Sequence, residues 1–280
     1  MSLARLVVPS LLLALCGCPP PAATPDGAVG EAPTSRPTSQ PTAAAGPGAE
    51  FAQAIEAAHH AETWRAQGAI RAHMSLTFGG KQQFTGTLLL DPQVAHARLE
   101  LDEGPTVVFD GETAWLAPGD AEFPRARFHV LTWPFFLAAP YKLQDAGTSL
   151  APLGELTLEP EGPPLAAAKL TYEAGVGDSP DDWYVVYRDG EGRLSGLGYI
   201  VTYGGKDPAS AEPHAVLYRD HQPVEGVPVP RRWEFRLWTQ DKGVFDDPIG
   251  EVLLDRVEFV QPAADAFQAP EGATELTLPE

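Results

Sequence analysis

The chain has 280 residues, with 19 Lys and Arg against 38 Asp and Glu and a formal net charge of −19. That balance repels nucleic acid and anionic membrane surfaces, and no stretch gathers basic residues into a stripe, so neither is an expected partner. An apolar fraction of 44% excludes global disorder, and both cysteines, Cys16 and Cys18, stand too near the start to staple a domain.

Met1 to Cys18 carries one basic residue, Arg5, then an apolar run from Leu6 to Leu15, then Cys16-Gly17-Cys18. This reads as a secretory signal, too short to span a bilayer. The run Leu15-Cys16-Gly17-Cys18 resembles the lipobox of bacterial lipoproteins, which implies that Cys18 becomes the lipid-modified first residue. In that pattern an Asp after the cysteine favours inner-membrane retention; here Pro19 follows, so the resemblance implies the periplasmic face of the outer membrane. Ordinary cleavage beside an incidental cysteine is the competing reading. Residues 19–50 are Pro, Ala, Thr, Gly and Ser with almost no large apolar side chain, so they read as a disordered tether. At up to ~3.1 Å per residue it could hold a domain as much as ~100 Å from the anchor.

From residue 51 to 280 a single domain is expected. Phe51 to Trp64 has apolar residues at helical spacing and reads as a short amphipathic helix. His59 and His60 point about 100° apart on such a helix and cannot easily share one metal ion, so surface or cap roles are expected of them. Alternation then takes over. Ile70, Ala72, Met74 and Leu76 oppose Arg71, His73, Ser75 and Thr77 up to a Gly79-Gly80 turn, and Phe84 to Leu90 and Ala95 to Leu101 continue the sheet. Val107 to Phe109 and Thr113 to Leu116 form a hairpin across Asp110-Gly111.

The period changes at Phe123 to Tyr141, where Phe128, Leu131, Trp133, Phe135, Phe136, Leu137 and Tyr141 crowd together. Pro134 and Pro140 restrict this stretch to broken helical turns, which should plug the hollow of a curved sheet. The segment is either plain core or the lining of a ligand cavity. Strands follow at Leu153 to Leu158 and Ala166 to Tyr172. Gly175 to Tyr203 then reads as one long hairpin around Asp189-Gly190-Glu191-Gly192, with Leu197, Tyr199, Val201 and Tyr203 on one face. Gly196 and Gly198 on its other face should leave a trough that a helix or ligand can approach. Ala215 to Asp220, Arg232 to Leu237 and Val252 to Val260 complete the pattern. About eleven strands, one N-terminal helix, a central apolar helical plug and no crossover helices predict a mostly β fold, an unclosed antiparallel β-barrel.

The loop Gly175-Val176-Gly177-Asp178-Ser179-Pro180-Asp181-Asp182, the strand Leu197 to Tyr203, the phrase Phe109 to Trp115 and the stretch Trp133 to Pro140 together resemble an uncharacterised family of bacterial secreted proteins and lipoproteins. That family supplies no catalytic residues to carry over. More distantly, the leading helix, the Asp-Gly hairpin ending in Trp115 and the inner plug look like the unclosed β-barrel of periplasmic lipoprotein carriers, which implies acyl chains held between sheet and helices.

The ligand-binding candidates are therefore Trp133, Phe135, Phe136, Leu137, Tyr141, Gly196 and Gly198, for a lipid or other apolar molecule. Asp178, Asp181 and Asp182 are weak candidates for Ca²⁺, because the spacing lacks a known calcium loop and a solvated turn explains them as well. No nucleophile elbow, phosphate-cradling loop or zinc helix occurs, no cofactor is expected, and the domain should be a monomer. An enzyme built on the acidic loop and a ligand-free structural module of the envelope are the competing classes.

Overall fold

A computed structural model describes residues 46–278; Cys18, the leader and most of the spacer lie outside them. The first element, α1 (Pro47–Ala58), begins four residues before the expected domain start. Pro47 pre-sets the first helical φ, Glu50 sits in the first turn, and Phe51, Ala52 and Ile55 are buried. A Cβ on Gly48 would stand 2.1 Å from the Leu150 carbonyl oxygen, so the first turn is packed against the sheet and belongs to the domain. The expected helix is broken at His59 and His60, the latter in the left-handed region at φ 53°, and resumes as α2 (Ala61–Arg65).

The strands are β1 (Ala69–Phe78), β2 (Lys81–Leu90), β3 (Ala97–Leu101), β4 (Thr106–Phe109) and β5 (Ala114–Ala117), then, after the helix α3 (Ala126–Ala138) and one 3-10 turn, β6 (Thr148–Leu156) and β7 (Leu165–Tyr172). There follow β8 (Tyr184–Arg188), β9 (Leu194–Tyr199), β10 (His214–Val224), β11 (Val227–Thr239), β12 (Gly243–Val260) and β13 (Thr274–Leu276). All lie in one sheet, ordered β13-β5-β4-β3-β2-β1-β12-β11-β10-β9-β8-β7-β6, with every neighbouring pair antiparallel. Because β13 and β6 do not pair, the sheet is an unclosed barrel of thirteen strands, two more than the alternation suggested.

The connection from β5 to β6 must travel from one end of the sheet to the other, and it does so inside the curve. Its helix α3 packs on β3, β4 and β5, while its aromatic side chains meet β8, β9 and β11. One helix can touch both flanks only if the sheet curls around it. Ile70, Ala72, Met74, Leu88, Leu197, Tyr199, Trp233, Phe235 and Val252 form the inner face of this core. A second, smaller cluster lies on the outer face of β7 to β12, where Trp238, Tyr187, Val185, Ala215 and Leu217 pack with Leu158 from the β6–β7 connection.

The plug is a continuous helix, not broken turns: Pro134 lies inside α3 and Pro140 in the 3-10 turn after it. A proline removes one intrahelical donor, so the carbonyl four residues earlier must find another partner. For Pro140 that carbonyl is Phe136, and the Tyr218 hydroxyl donates to it at 2.8 Å. The neighbouring sheet thus supplies the bond that the sequence removes, and α3 is tied to β10 at that point.

Candidate ligand-binding site

The inner face of α3 is closed. Trp133 is 5% exposed and Phe136 4%, with Leu137 and Tyr141 equally buried. The Phe136 ring lies 5.3 Å from Tyr199 and 5.9 Å from Phe235, centroid to centroid, and Trp133 lies 6.1 Å from Phe235. Tyr141 stacks on Trp64 at 4.3 Å and donates its hydroxyl to the His59 carbonyl at 2.9 Å. These four side chains are packed as core.

The outer flank of α3 is different. Phe128, Leu131 and Phe135, at helical spacing, are only half-buried. They face an aromatic, incompletely covered wall made by β7, β8 and the β9–β10 connection: Phe135 lies 4.9 Å from Tyr184, Tyr184 lies 6.2 Å from the half-buried Tyr172, and Phe128 lies 5.3 Å from the half-buried Tyr203. This seam runs along the opening of the unclosed barrel. Of the ligand-binding candidates named from the sequence, Phe135 alone belongs to it.

The glycine trough is not part of this site. Leu197 and Tyr199 point into the core beside α3, so Gly196 and Gly198 point to the outer face, away from Trp133 and Phe136. The space they leave is filled: a Cβ on Gly198 would stand 2.6 Å from the Trp238 ring, and one on Gly196 2.9 Å from Leu158. The small side chains serve the close approach of the outer cluster. Gly198→Leu should therefore destabilise the fold by about 1–3 kcal/mol through overpacking against Trp238. A thermal melt of that variant matching wild type would show that the outer cluster is not packed this way.

The acidic loop divides among three tasks. Asp178 receives both arms of Arg127, Nε to Oδ2 at 2.7 Å and Nη2 to Oδ1 at 2.9 Å. Asp182 accepts the Thr202 backbone N–H at 2.6 Å and its hydroxyl at 2.7 Å, and burial raises its carboxyl pKa. Asp181 is exposed. With two of the three carboxylates so engaged, and no cluster of three metal-ligating side chains among the described residues, the calcium assignment finds no geometry to support it.

Two histidines are neutral for identifiable reasons. His59 is 1% exposed and caps α1, so of the surface and cap roles expected for it the structure shows the cap, with the ring turned inward. Its Nε2 accepts the Leu194 N–H at 3.0 Å, which places the ring hydrogen on Nδ1. Among the described residues Nδ1 is buried without a hydrogen-bond partner; the Pro228 carbonyl favours its charged form without reaching hydrogen-bonding geometry. Burial, reinforced by His221 5.9 Å away, lowers its pKa to about 4. His129 is sandwiched between Phe123 at 5.0 Å and Trp133 at 5.8 Å, and its Nδ1 accepts the Trp133 indole N–H at 3.1 Å. Burial, with Arg125 second, lowers it too to about 4.

Sequence reasoning also missed two clefts on the flank opposite β13. One, of about 380 Å³, is lined by Glu159, Arg193, Tyr218, Arg219 and His221. The other, of about 620 Å³, lies between Ala54, Ala57 and Ala58 of α1 and the turn from Arg188 to Gly192. In the first cleft the arginines are paired, Arg219 with Glu159 and Arg193 with Asp189; in the second, Arg188 lies 5.1 Å over the Phe51 ring and makes no ion pair among the described residues.

An unclosed antiparallel barrel wrapped around an inner helix is also found among solved structures. The similarity is to a crystal structure of a LolA superfamily protein from Nitrosomonas europaea, with a TM-score of 0.53 at 7% identity over 80% of this chain and 98% of that one. A candidate outer membrane lipoprotein-sorting protein domain from Vibrio parahaemolyticus aligns with a TM-score of 0.42 at 12% identity, covering 78% of this chain and 95% of that one. A DUF1329 family protein from Desulfovibrio piger aligns at 0.41 and 10% identity, covering 77% and 95%. No family model matches the chain, and no curated protein matches it in sequence. At these identities the likeness is one of fold.

Proposed function

We propose that this is a cell-envelope protein, anchored through a lipid on Cys18 at the periplasmic face of the outer membrane, that binds one lipid or other apolar chain along the seam between α3 and the wall formed by β7, β8 and the β9–β10 connection. The observation that carries the reading is the half-buried stripe Phe128, Leu131 and Phe135 inside an unclosed barrel, with Phe128 against the half-buried Tyr203 and Phe135 against Tyr184, which the half-buried Tyr172 borders. A chain laid there would complete the burial of both sides, worth about 25 cal/mol per Å² of apolar surface. Trp133, Phe136, Leu137 and Tyr141 would form its floor. The LolA-superfamily fold is compatible with such a role and does not by itself assign it.

Native mass spectrometry of protein taken from its own host tests the reading directly, since a co-purified lipid is the expected result. Phe135→Ala should weaken a fatty-acyl probe about tenfold, the loss expected for part of one aromatic contact, while leaving stability nearly unchanged. Unaltered probe affinity would count against the seam. Anchoring has its own test: Cys18→Ala should move the protein from membranes to the soluble fraction, and continued sedimentation with membranes would remove Cys18 as the attachment point.

A second reading, a structural or interaction module with no ligand, is favoured by the tight packing of Trp133 and Phe136. It predicts that no acyl probe binds wild type at all.

A further inference from the structure

One residue bridges the opening of the barrel. Arg127, in the first turn of α3, pairs with both oxygens of Asp178 in the β7–β8 connection, and its Nη1 donates to the Leu276 carbonyl of edge strand β13 at 3.4 Å. It thus joins the two flanks that the sheet leaves unpaired, one residue before the apolar stripe begins at Phe128. The pair is largely withdrawn from water, with side-chain exposures of 13% for Arg127 and 18% for Asp178. Beside it Arg125, an exposed cation, makes no ion pair or side-chain hydrogen bond among the described residues. In a chain of net charge −19, two arginines stand at this end of the apolar seam, one of them balanced by Asp178.

Resting on the seam-binding reading, we propose that Arg127 is the head-group anchor of that site, and that its ligand is a single-chain amphiphile with an anionic head, carboxylate or phosphate. Asp178 occupies the guanidinium fork in the empty protein, as a stand-in for the ligand's head. The planar fork accepts a second carboxylate or a phosphate in the same two-bond geometry. The loop that carries Asp178 can turn on the two glycines that precede it: Gly175 and Gly177 lie at φ 82° and 68°, conformations natural to glycine, and a Cβ on either would meet open space. The chain of the ligand would then run from Arg127 along Phe128, Leu131 and Phe135. Exchange of one anion for another costs no net charge in the site, whereas a neutral head would leave Arg127 without a partner once Asp178 moved away.

The test measures binding of four probes to the full chain: hexadecanoic acid, hexadecyl phosphate, methyl hexadecanoate and inorganic phosphate. Wild type should bind the acid and the alkyl phosphate about tenfold or more tighter than the ester, the difference a charge-assisted pair supplies, and should not bind inorganic phosphate measurably. Arg127→Gln should bring acid and ester to the same affinity, and Asp178→Asn, which removes the competing carboxylate without touching the fork, should tighten the acid. If ester and acid bind wild type alike, or Arg127→Gln retains the preference for the acid, the anchor is overturned while seam binding survives. If inorganic phosphate competes as well as the alkyl phosphate, the fork is an anion site unconnected to the seam and the amphiphile assignment is overturned. If no long-chain probe binds wild type, both readings fall together. Asp178→Asn keeps the test decisive should Arg127→Gln fold poorly, because an acid affinity unchanged or weakened in that variant contradicts the exchange.

Discussion

Phe136→Ala should lower the free energy of unfolding by about 3–5 kcal/mol, the range for removing a packed aromatic side chain from a core that cannot collapse around the gap. The ring is 4% exposed and has Trp133, Tyr199, Trp233 and Phe235 around it within 6.4 Å. Collapse is restricted because the backbone at this residue is pinned by the Tyr218 hydroxyl on the Phe136 carbonyl. Urea unfolding checks the value, with the midpoint falling at unchanged slope if only stability is altered. A loss below about 1 kcal/mol would mean that the inner face of α3 is loosely packed, and the ligand would then belong under the helix instead of along its flank. Phe135→Ala is the internal control, since Phe135 is only half-buried one position away.

Much of this architecture could be read from alternation, and the errors have physical causes. β1, β2 and β5 were legible because one face meets the core and the other is more open to water, the pattern that period two reports. The reading failed where both faces are covered. Along β8 and β9 every residue from Tyr184 to Tyr187 and from Gly196 to Tyr199 is buried, so a glycine facing a second core looked like a glycine facing a cavity. β12 was expected only from Val252, because Asp246-Asp247-Pro248 interrupts the apolar alternation of its first half, although the strand runs from Gly243 to Val260. The three-residue β13 was missed altogether, since three residues are too few for a period to show. Pro134 was treated as a helix breaker, yet a buried helix held by sheet contacts on both flanks tolerates one lost bond.

The candidate site was half legible. The apolar density of Trp133 to Tyr141 located α3 and its place inside the sheet, because such a segment has nowhere else to be buried. Which face of the helix packs and which stays partly open depends on the curl of the sheet, and local periodicity carries no information about that. The pairing of Arg127 with Asp178 spans 51 residues of sequence, and nothing in either neighbourhood announces the other. The acidic loop was singled out for its carboxylates as metal ligands; the structure uses one as an ion-pair partner and one to hold the Thr202 backbone.

Acid should unfold this protein through its buried histidines, between about pH 6.5 and pH 4. In the folded state His59 and His129 titrate near 4, against 6.5 for a free imidazole, so over that interval the unfolded chain binds protons that the folded chain refuses. Stability is therefore complete above about 6.5, where both states are neutral, and falls as the pH drops, until the loss levels off below 4. The depressed values correspond to roughly 3 kcal/mol per histidine at most, at 1.36 kcal/mol per pKa unit. Each protonation also breaks a named bond: a hydrogen on His59 Nε2 would confront the Leu194 N–H, and one on His129 Nδ1 would confront the Trp133 indole N–H. His214 and His221, also lowered by burial, act in the same direction, while Asp182, raised by burial, opposes them. Urea unfolding at pH 7.5 and 4.5 on wild type and on His129→Gln provides the measurement. Wild type should lose several kcal/mol between the two, and the variant, less stable at pH 7.5, should lose clearly less because one of its two main titrating groups is gone. A wild-type stability that stays level across this range would mean that both rings reach water, and the closed aromatic packing of His129 between Phe123 and Trp133 would have to be given up.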